Sequence, residues 1–130
     1  RKLDMFVMRR REIAKLYDEA FTDDPFSIIP TVSEEVEHAY HLYPLQVKFD
    51  EVGLSISELF EKMNKKGIQL QVHYIPVHLQ PYYRKNYGFK TGDFPIAEEF
   101  YTREISLPIY YSLSNDDVRF IADSLKASIN

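Results

Sequence analysis

The spacing of hydrophobic residues along the chain predicts helices and strands in alternation, beginning with a helix. This first helix covers residues 3–21, where apolar side chains recur every three to four positions and form one stripe. A second helix begins at Ser55, because Glu58 lies three residues later and completes a capping box. It ends at Gly67, since glycine readily adopts the left-handed conformation that terminates helices.

Two further helices are predicted in the second half of the chain. Asp93 suits the cap of a short helix that has Pro95 in its first turn and runs through Arg103. The last helix opens at Ser114 and Asp117. Its predicted apolar face consists of Val118, Ile121, Ala122 and Leu125.

Three segments show the alternation of apolar and polar residues that is typical of strands. They cover residues 39–49, 68–74 and 105–109. Pro44 and Pro108 cannot donate ladder hydrogen bonds, so the first and third strands are expected at a sheet edge or, at Pro44, in a bulge. The order of elements predicts a small α+β fold with helices on one face of a short sheet, and it leaves the strand directions open.

Length and charge limit the classes of function. The chain has 130 residues, enough for one domain with its own core, and its net charge is -4. An acidic chain argues against nucleic acid as a partner, because phosphate binding requires a basic face. The basic run at residues 9–11 is too short to change this and is expected on a solvated helix face.

The chain has no apolar run of about 20 residues that could span a bilayer. It also has no cysteine for a disulfide or a thiolate metal site.

The chain begins with Arg1 rather than methionine. Because methionine removal does not normally expose arginine, we expect the sequence to be a piece of a longer protein. A catalytic group that the whole protein requires is then expected outside residues 1–130.

The segment 67–83 holds the candidate chemistry. His73 leaves the second predicted strand on its polar face, and His78 follows in the loop beyond Pro76. A pair of histidines in acid/base chemistry is one interpretation, since imidazole titrates near neutral pH. Structural, hydrogen-bonded histidines are the other, because no carboxylate partner is evident in the adjacent sequence.

A metal site is a weaker alternative. It would combine His38 and His41 with a later histidine, but positions three apart on a strand point to opposite faces. Surface or hydrogen-bonded histidines explain these two more simply. The sequence also lacks a G-x-S-x-G nucleophile motif, a phosphate loop and a dinucleotide fingerprint. We interpret Tyr82, Tyr83 and Tyr87 as core or cleft wall rather than as base-stacking residues.

Four ordered segments of the chain carry a family resemblance. They are RRREIAKLYDEAF (residues 9–21), HLYPLQV (41–47), KKGIQLQVHYIPVHLQPYY (65–83) and GDFPIAEEFYTREISLPIYYSLSNDDV (92–118). In order, they contain a glycine before a strand, then HY-x-P-x-H, FP-x-AE, SLP and a capped last helix. Over nearly its whole length the chain resembles the C-terminal small domain of the DegT/StrS family. These are pyridoxal-phosphate-dependent aminotransferases that act on keto groups of nucleotide-linked sugars.

The resemblance implies a fold and a domain organisation. The fold is a small, mostly antiparallel sheet packed with helices, as in the C-terminal domain of fold type I transferases that depend on pyridoxal phosphate. Residues 1–130 are therefore expected to form one such small domain of a larger enzyme. The large cofactor-binding domain is absent from this sequence. Because the lysine that holds pyridoxal 5'-phosphate belongs to that large domain, the fragment alone is expected to bind no cofactor and to be inactive.

The resemblance also implies a reaction and partners. The enzyme would transfer an amino group from glutamate to a keto nucleotide-sugar for surface polysaccharide or glycan synthesis. Its substrate would be most similar to a UDP-4-keto-6-deoxy amino sugar. The resemblance further implies a cytoplasmic homodimer without nucleic-acid or membrane partners.

Candidate substrate-binding residues follow from the same resemblance. His78 falls at the family's active-site histidine position, near the sugar and the catalytic lysine. Gln71, His73 and Tyr74 would border the nucleotide-sugar cleft, where imidazole and phenol groups can bind hydroxyls or phosphates and stack on rings. The alternative is a stand-alone α+β ligand-binding or regulatory module. Such a module would enclose its own pocket, whereas a small domain of a larger enzyme would present an open aromatic surface.

Overall fold

The computed structural model describes residues 2–130, and Arg1 lies outside them. The helices are α1 (Lys2–Phe21), α2 (Phe49–Val52), α3 (Ile56–Asn64), α4 (Pro81–Tyr87), α5 (Pro95–Arg103) and α6 (Asn115–Ile129). The strands are β1 (Ser27–Ile28), β2 (Tyr43–Val47) and β3 (Glu104–Leu107), and a 3-10 turn covers Val77–Leu79. All four predicted helices are present, whereas the short helices α2 and α4 are additional to the prediction.

The three strands form one antiparallel sheet in the order β1-β2-β3. Ser27 pairs with Val47 between the first two strands, and Tyr43 pairs with Leu107 between the second and third. The predicted α+β class and the mostly antiparallel sheet are therefore confirmed.

The first predicted strand, residues 39–49, is shorter in the structure. Tyr40 has a φ of 47°, in the left-handed region, so regular pairing begins only at Tyr43. The strand ends at Val47, and Phe49 already opens α2. Pro44 lies in the middle strand, but β1 pairs only with Gln46 and Val47 and does not reach it. The proline therefore occupies a locally unpaired side of the strand, as its missing N–H requires.

The predicted second strand, residues 68–74, is wrong. Only Gln71 pairs with β3, through two backbone hydrogen bonds to Ser106 of 2.7 and 3.3 Å. The next ladder position on one side would need a donor at Pro108, which has no N–H. On the other side the N–H of His73 donates to the side chain of Glu104 at 2.7 Å. Both neighbouring ladder positions are thus lost, and the segment remains a loop held at one point.

The helix caps largely follow the prediction. Ser55 caps α3 with Glu58 in a complete capping box, and Ser114 and Asp117 form the same arrangement at α6. The predicted Asp93 cap is wrong, because its carboxylate accepts from the N–H of Lys90 at 2.9 Å and closes the preceding turn. The cap position of α5 is Phe94, which has no side-chain cap bond.

One hydrophobic core joins α1, α3 and α6 to β2 and β3. The predicted apolar faces of α1 and α6 pack into it, and all four residues predicted for the α6 face belong to the core. The hydroxyl of Tyr17 donates to the carbonyl of Pro108 at 2.8 Å, and the hydroxyl of Tyr43 donates to Asp18 at 2.6 Å. Burial raises the pKa of both tyrosines, aided by the neighbouring Tyr110 at Tyr17 and by the hydrogen bond to Asp18 at Tyr43, and desolvation raises the pKa of Asp18.

The basic run on α1 does not face solvent freely, contrary to expectation. Each guanidinium donates to backbone carbonyls of a distant segment. Arg9 reaches Leu113, Arg10 reaches Tyr40 and His41, and Arg11 reaches His38, all at 2.5–3.0 Å. The three side chains therefore fix two loops against α1. Within residues 2–130 no helix is both long and apolar enough to cross a membrane.

Candidate functional site

The four predicted site residues lie along one loop but line different cavities. Gln71 and His73 line a polar cavity of about 640 Å³. His78 lines an apolar cavity of about 350 Å³, and Tyr74 borders an adjacent open groove of about 700 Å³. Phe94 lines both of the last two, so His78 and Tyr74 flank neighbouring spaces. The structure thus groups Gln71 with His73 and separates this pair from His78.

The polar cavity lies between α1, the loop from Gly67 to His73 and the end of β3. Its wall includes Arg10, His41, Gln69, Ser106 and Tyr110, together with aliphatic residues at the end of β3. Residues with charged, amide, imidazole and hydroxyl groups therefore surround one space. Such a lining suits a ligand rich in hydrogen-bonding groups.

His73 is held by two residues of β3 that have their side chains fully or almost fully buried. Its Nδ1 lies 2.7 Å from the hydroxyl oxygen of Ser106. That hydroxyl donates to Glu104 Oε1 at 2.5 Å, and Glu104 Oε2 accepts from the His73 backbone N–H. Glu104 has no solvent exposure, so these two donors supply the hydrogen bonds that a buried carboxylate requires.

His78 is buried, with 7% of its surface exposed, and lies in the short 3-10 turn. Its Nε2 is 2.8 Å from Glu98 Oε1, and its ring meets the Phe94 ring with centroids 4.7 Å apart. Glu98 also accepts from the backbone N–H groups of Gly92 at 2.9 Å and Phe94 at 3.3 Å. One carboxylate on α5 therefore joins the histidine to the loop that precedes the helix.

The protonation state of Glu98 determines which nitrogen of His78 carries a proton. The hydrogen bond from Gly92, then that from His78, lowers the pKa of Glu98, so the group is a carboxylate at neutral pH. A carboxylate only accepts, so Nε2 of His78 donates. In the neutral ring Nδ1 is then the acceptor, and it makes no hydrogen bond within residues 2–130. The arrangement leaves an imidazole lone pair available beside the apolar cavity.

Tyr74 and the residues after it form an open aromatic surface. The Tyr74 ring is 70% exposed and meets the His73 ring edge-on, with centroids 4.7 Å apart. The aromatic surface comprises Tyr74, Ile75, Val77, Tyr82, Tyr87, Phe94, Ile96 and Phe100, all of them exposed. The three tyrosines were interpreted as core or cleft wall; the core placement is wrong for Tyr82 and Tyr87, whereas Tyr83 lines the His78 cavity. Ring contacts join Tyr82 and Tyr87 through Phe89 to Phe94, which lines one groove with Tyr74, Ile96 and Phe100, and exposed apolar groups arranged in this way mark a binding or contact surface.

Three residues of the site were not singled out from the sequence. Glu98, Glu104 and Ser106 each contact a site histidine, although 20 to 33 positions separate them along the chain. A usable signal was present for two of them. Glu104 and Ser106 alternate on one strand between buried aliphatic residues, which is unusual for polar side chains and indicates a partner on that face.

His38 and His41 take the simpler interpretation. Both are exposed, and the only ring hydrogen bond found for either within residues 2–130 is from the Tyr40 N–H to His38 Nδ1 at 3.2 Å. Over the same residues no group of three or more His, Asp or Glu side chains is placed to hold a metal ion.

The lysines of residues 2–130 do not fit a pyridoxal-phosphate site. Such a lysine needs a desolvated pocket, yet no lysine is buried in the described part of the chain. Lys62 and Lys66 instead donate to carbonyls at the end of α6.

Solved structures with the same fold are sugar aminotransferases. The chain superposes on PseC of Helicobacter pylori, an aminotransferase of pseudaminic acid biosynthesis, with a TM-score of 0.82 and 30% identity. That alignment covers 95% of this chain and 33% of PseC. Spr1654 of Streptococcus pneumoniae, described as a sugar aminotransferase and solved in its PLP form, gives a TM-score of 0.81 and 32% identity. That alignment covers 95% of this chain and 31% of Spr1654.

Sequence relatives agree with the structural ones. MJ1066 of Methanocaldococcus jannaschii is 43% identical over 100% of this chain and 34% of its own length. SpsC of Bacillus subtilis, a spore coat polysaccharide biosynthesis protein, is 42% identical over 97% of this chain and 33% of its own. A UDP-4-amino-4,6-dideoxy-N-acetyl-beta-L-altrosamine transaminase of Campylobacter jejuni is 33% identical over 96% of this chain and 32% of its own length.

The fold is thus that of one part of a sugar aminotransferase. The chain belongs to the DegT/DnrJ/EryC1/StrS aminotransferase family, whose model matches residues 1–126. It spans about a third of the length of the curated relatives that it matches.

Proposed function

We propose that residues 1–130 form the C-terminal small domain of a pyridoxal-phosphate-dependent aminotransferase. The enzyme would transfer an amino group to a keto nucleotide-sugar for surface polysaccharide or glycan synthesis. The observation that carries this proposal is the open aromatic surface next to two carboxylate-bound histidines, in a chain that matches about a third of its relatives. A second domain supplying the cofactor lysine would cover that surface.

In this proposal Gln71, His73, Tyr74 and His78 contact the substrate. Gln71 and His73 would bind polar groups of the nucleotide-sugar in the polar cavity. Tyr74 offers a ring for stacking, and His78 offers an Nδ1 acceptor. Bound pyridoxal phosphate supplies the electron sink for amino transfer, and this chain's residues would orient the sugar and exclude water.

The finer identity of the substrates is also proposed. A UDP-4-keto-6-deoxy amino sugar is supported by the 33% identity to the Campylobacter jejuni transaminase. Glutamate is proposed as the amino donor, and a cytoplasmic homodimer as the working form. The acidic chain argues against a nucleic-acid partner.

The proposal is tested by comparing the 130-residue chain with the enzyme that contains it. The chain alone should bind no pyridoxal phosphate, whereas the complete enzyme should aminate a UDP-linked 4-keto sugar with glutamate. In the complete enzyme His78→Ala should lower kcat/KM for the sugar about tenfold or more, because the hydrogen bond that Nδ1 would accept from the sugar is lost. His38→Ala, at an exposed histidine that lines neither the polar cavity nor the His78 cavity, is the matched control.

Two results would contradict the proposal. One is a borohydride-reducible pyridoxal-phosphate adduct on a lysine of the 130-residue chain. The other is sugar turnover in His78→Ala equal to that of the unchanged enzyme. A stand-alone binding module remains the competing function, and it predicts that the 130-residue chain by itself binds a small ligand with micromolar or better affinity.

A further inference from the structure

The hydrogen-bond chain from Glu104 through Ser106 to His73 has a direction. A serine hydroxyl has one proton, and here it points to Glu104 Oε1 at 2.5 Å. That distance is typical of an O–H donating to a charged oxygen. The second oxygen of Glu104 accepts from the His73 backbone N–H, which can only donate. Glu104 therefore acts as an acceptor at both oxygens.

With its proton committed to Glu104, the Ser106 oxygen can only accept from the histidine. The group that lies 2.7 Å away is His73 Nδ1, so Nδ1 carries the proton. In the neutral ring Nε2 is then an acceptor. It makes no hydrogen bond within residues 2–130, and it is not among their buried unpaired polar atoms. Its lone pair is therefore accessible to solvent, on a residue that lines the polar cavity.

We infer that Ser106 and Glu104 are positioning residues that hold His73 as its Nδ1–H tautomer, with Nε2 presented to the polar cavity as a hydrogen-bond acceptor. The ligand group that fits is a neutral donor, a hydroxyl or an amide N–H, as on an N-acetylated sugar. The ligand part of this inference rests on the proposed function, whereas the tautomer does not. Two site histidines then carry opposite tautomers, because Glu98 fixes His78 with the proton on Nε2.

The tautomers can be measured directly in the 130-residue chain. Long-range ¹H–¹⁵N correlation spectra of histidine-labelled protein at about pH 9, where imidazole is neutral, separate protonated from unprotonated ring nitrogens. We expect His73 to show a protonated Nδ1 and His78 a protonated Nε2. The exposed His41, which has no ring hydrogen bond within the described residues, serves as the internal reference for a free imidazole. A protonated Nε2 on His73 would overturn the inference, since it would mean that the proton lies on Glu104 and the chain runs the other way.

Variants separate the role of the hydroxyl from general packing. Ser106→Ala should shift the His73 nitrogens to the ratio seen at His41, and Ser106→Thr should restore the Nδ1–H signature. Ser124→Ala, at another buried serine on α6, should leave both site histidines unchanged. An unaltered His73 spectrum in folded Ser106→Ala contradicts the inference. If Ser106→Ala does not fold, the His73 spectrum of the unchanged chain still shows which ring nitrogen carries the proton.

The ligand part has its own readout in the complete enzyme. Ser106→Ala should raise KM for an N-acetylated UDP-keto sugar about tenfold while kcat changes little, because one hydrogen bond to the bound substrate is lost. An unchanged KM together with the expected tautomer shift would reject the ligand role alone. Absence of any aminotransferase activity in the unchanged enzyme would reject the proposed function and leave the tautomer result standing.

Discussion

At the scale of single residues, two carboxylates control the two site histidines. Glu98 reaches His78 from α5, and Glu104 reaches His73 from β3, directly at the backbone and through Ser106 at the ring. Glu104 accepts from the backbone N–H of His73 itself, and Glu98 accepts from the backbone N–H of Gly92 in the loop that precedes α5. The histidines were identifiable from the sequence because they flank a proline after an alternating segment. Their carboxylates were not, because only the packing of distant elements brings them together.

Glu98→Gln should reduce stability at neutral pH and make it less sensitive to acid. The pKa of Glu98 is lower in the folded chain than its ordinary value of 4.5, so folding favours the ionised form. Its stabilisation is present above pH 4.5 and is lost as pH falls through the lowered folded-state pKa. Thermal unfolding of both proteins between pH 7 and pH 3, a range in which carboxyl groups titrate, measures the difference in their melting temperatures.

The matched control is Glu99→Gln, one position along the same helix. Glu99 pairs with Arg103 in an exposed ion pair, which contributes little. Its unfolding curve should follow the unchanged chain at every pH. A constant gap between Glu98→Gln and the unchanged chain, with no narrowing in acid, would show that the carboxylate charge is not the cause.

At the scale of elements, local signals predicted the helices better than the strands. The capping boxes at Ser55 and Ser114 depend on residues three apart, so the sequence contains the whole interaction. The segment 68–74 has the right alternation for a strand, but strand pairing depends on a distant partner. That partner offers Pro108 and the Glu104 side chain at the adjacent ladder positions, and neither continues the pairing.

Ser114→Ala should destabilise the chain by about 1 kcal/mol, the usual cost of losing a helix N-cap. The hydroxyl accepts from the Asp117 N–H at 3.1 Å, and α6 buries much of its length in the core. Urea unfolding followed by circular dichroism measures the change. Ser112→Ala, at an exposed serine two residues earlier, should have the stability of the unchanged chain; an equal loss in both variants would argue against the cap.

At the scale of the whole molecule, apolar side chains are divided between a closed core and the open aromatic surface. The core joins α1, α3, α6 and the sheet, and its residues were largely predicted from helical and strand periodicity. The aromatic surface is also made of large apolar residues, but they are exposed and lie in the segment between Tyr74 and Phe100. Periodicity cannot separate a core from a contact surface, because both use apolar residues at regular spacing.

The same substitution at two helical isoleucines should separate these two kinds of apolar site. Ile121→Ala, at a buried position of α6, should cost about 2–5 kcal/mol of unfolding free energy. Ile96→Ala, at a position of α5 that is 84% exposed, should change it by about 0.5 kcal/mol or less. Urea unfolding of the 130-residue chain gives both values. A large loss at Ile96 would mean that the aromatic surface is packed within the chain and is no contact surface.

The three arginines of α1 make the helix register itself a structural requirement. Successive helical positions point about 100° apart, so neighbouring side chains diverge. Arg9 reaches the start of α6, whereas Arg10 and Arg11 reach the loop before β2. Inserting or deleting one residue between Arg11 and Ile13, where the buried stripe of α1 begins, would rotate all three arginines away from their carbonyls together. The three consecutive arginines should therefore tolerate a substitution at one position better than a change in the length of the helix.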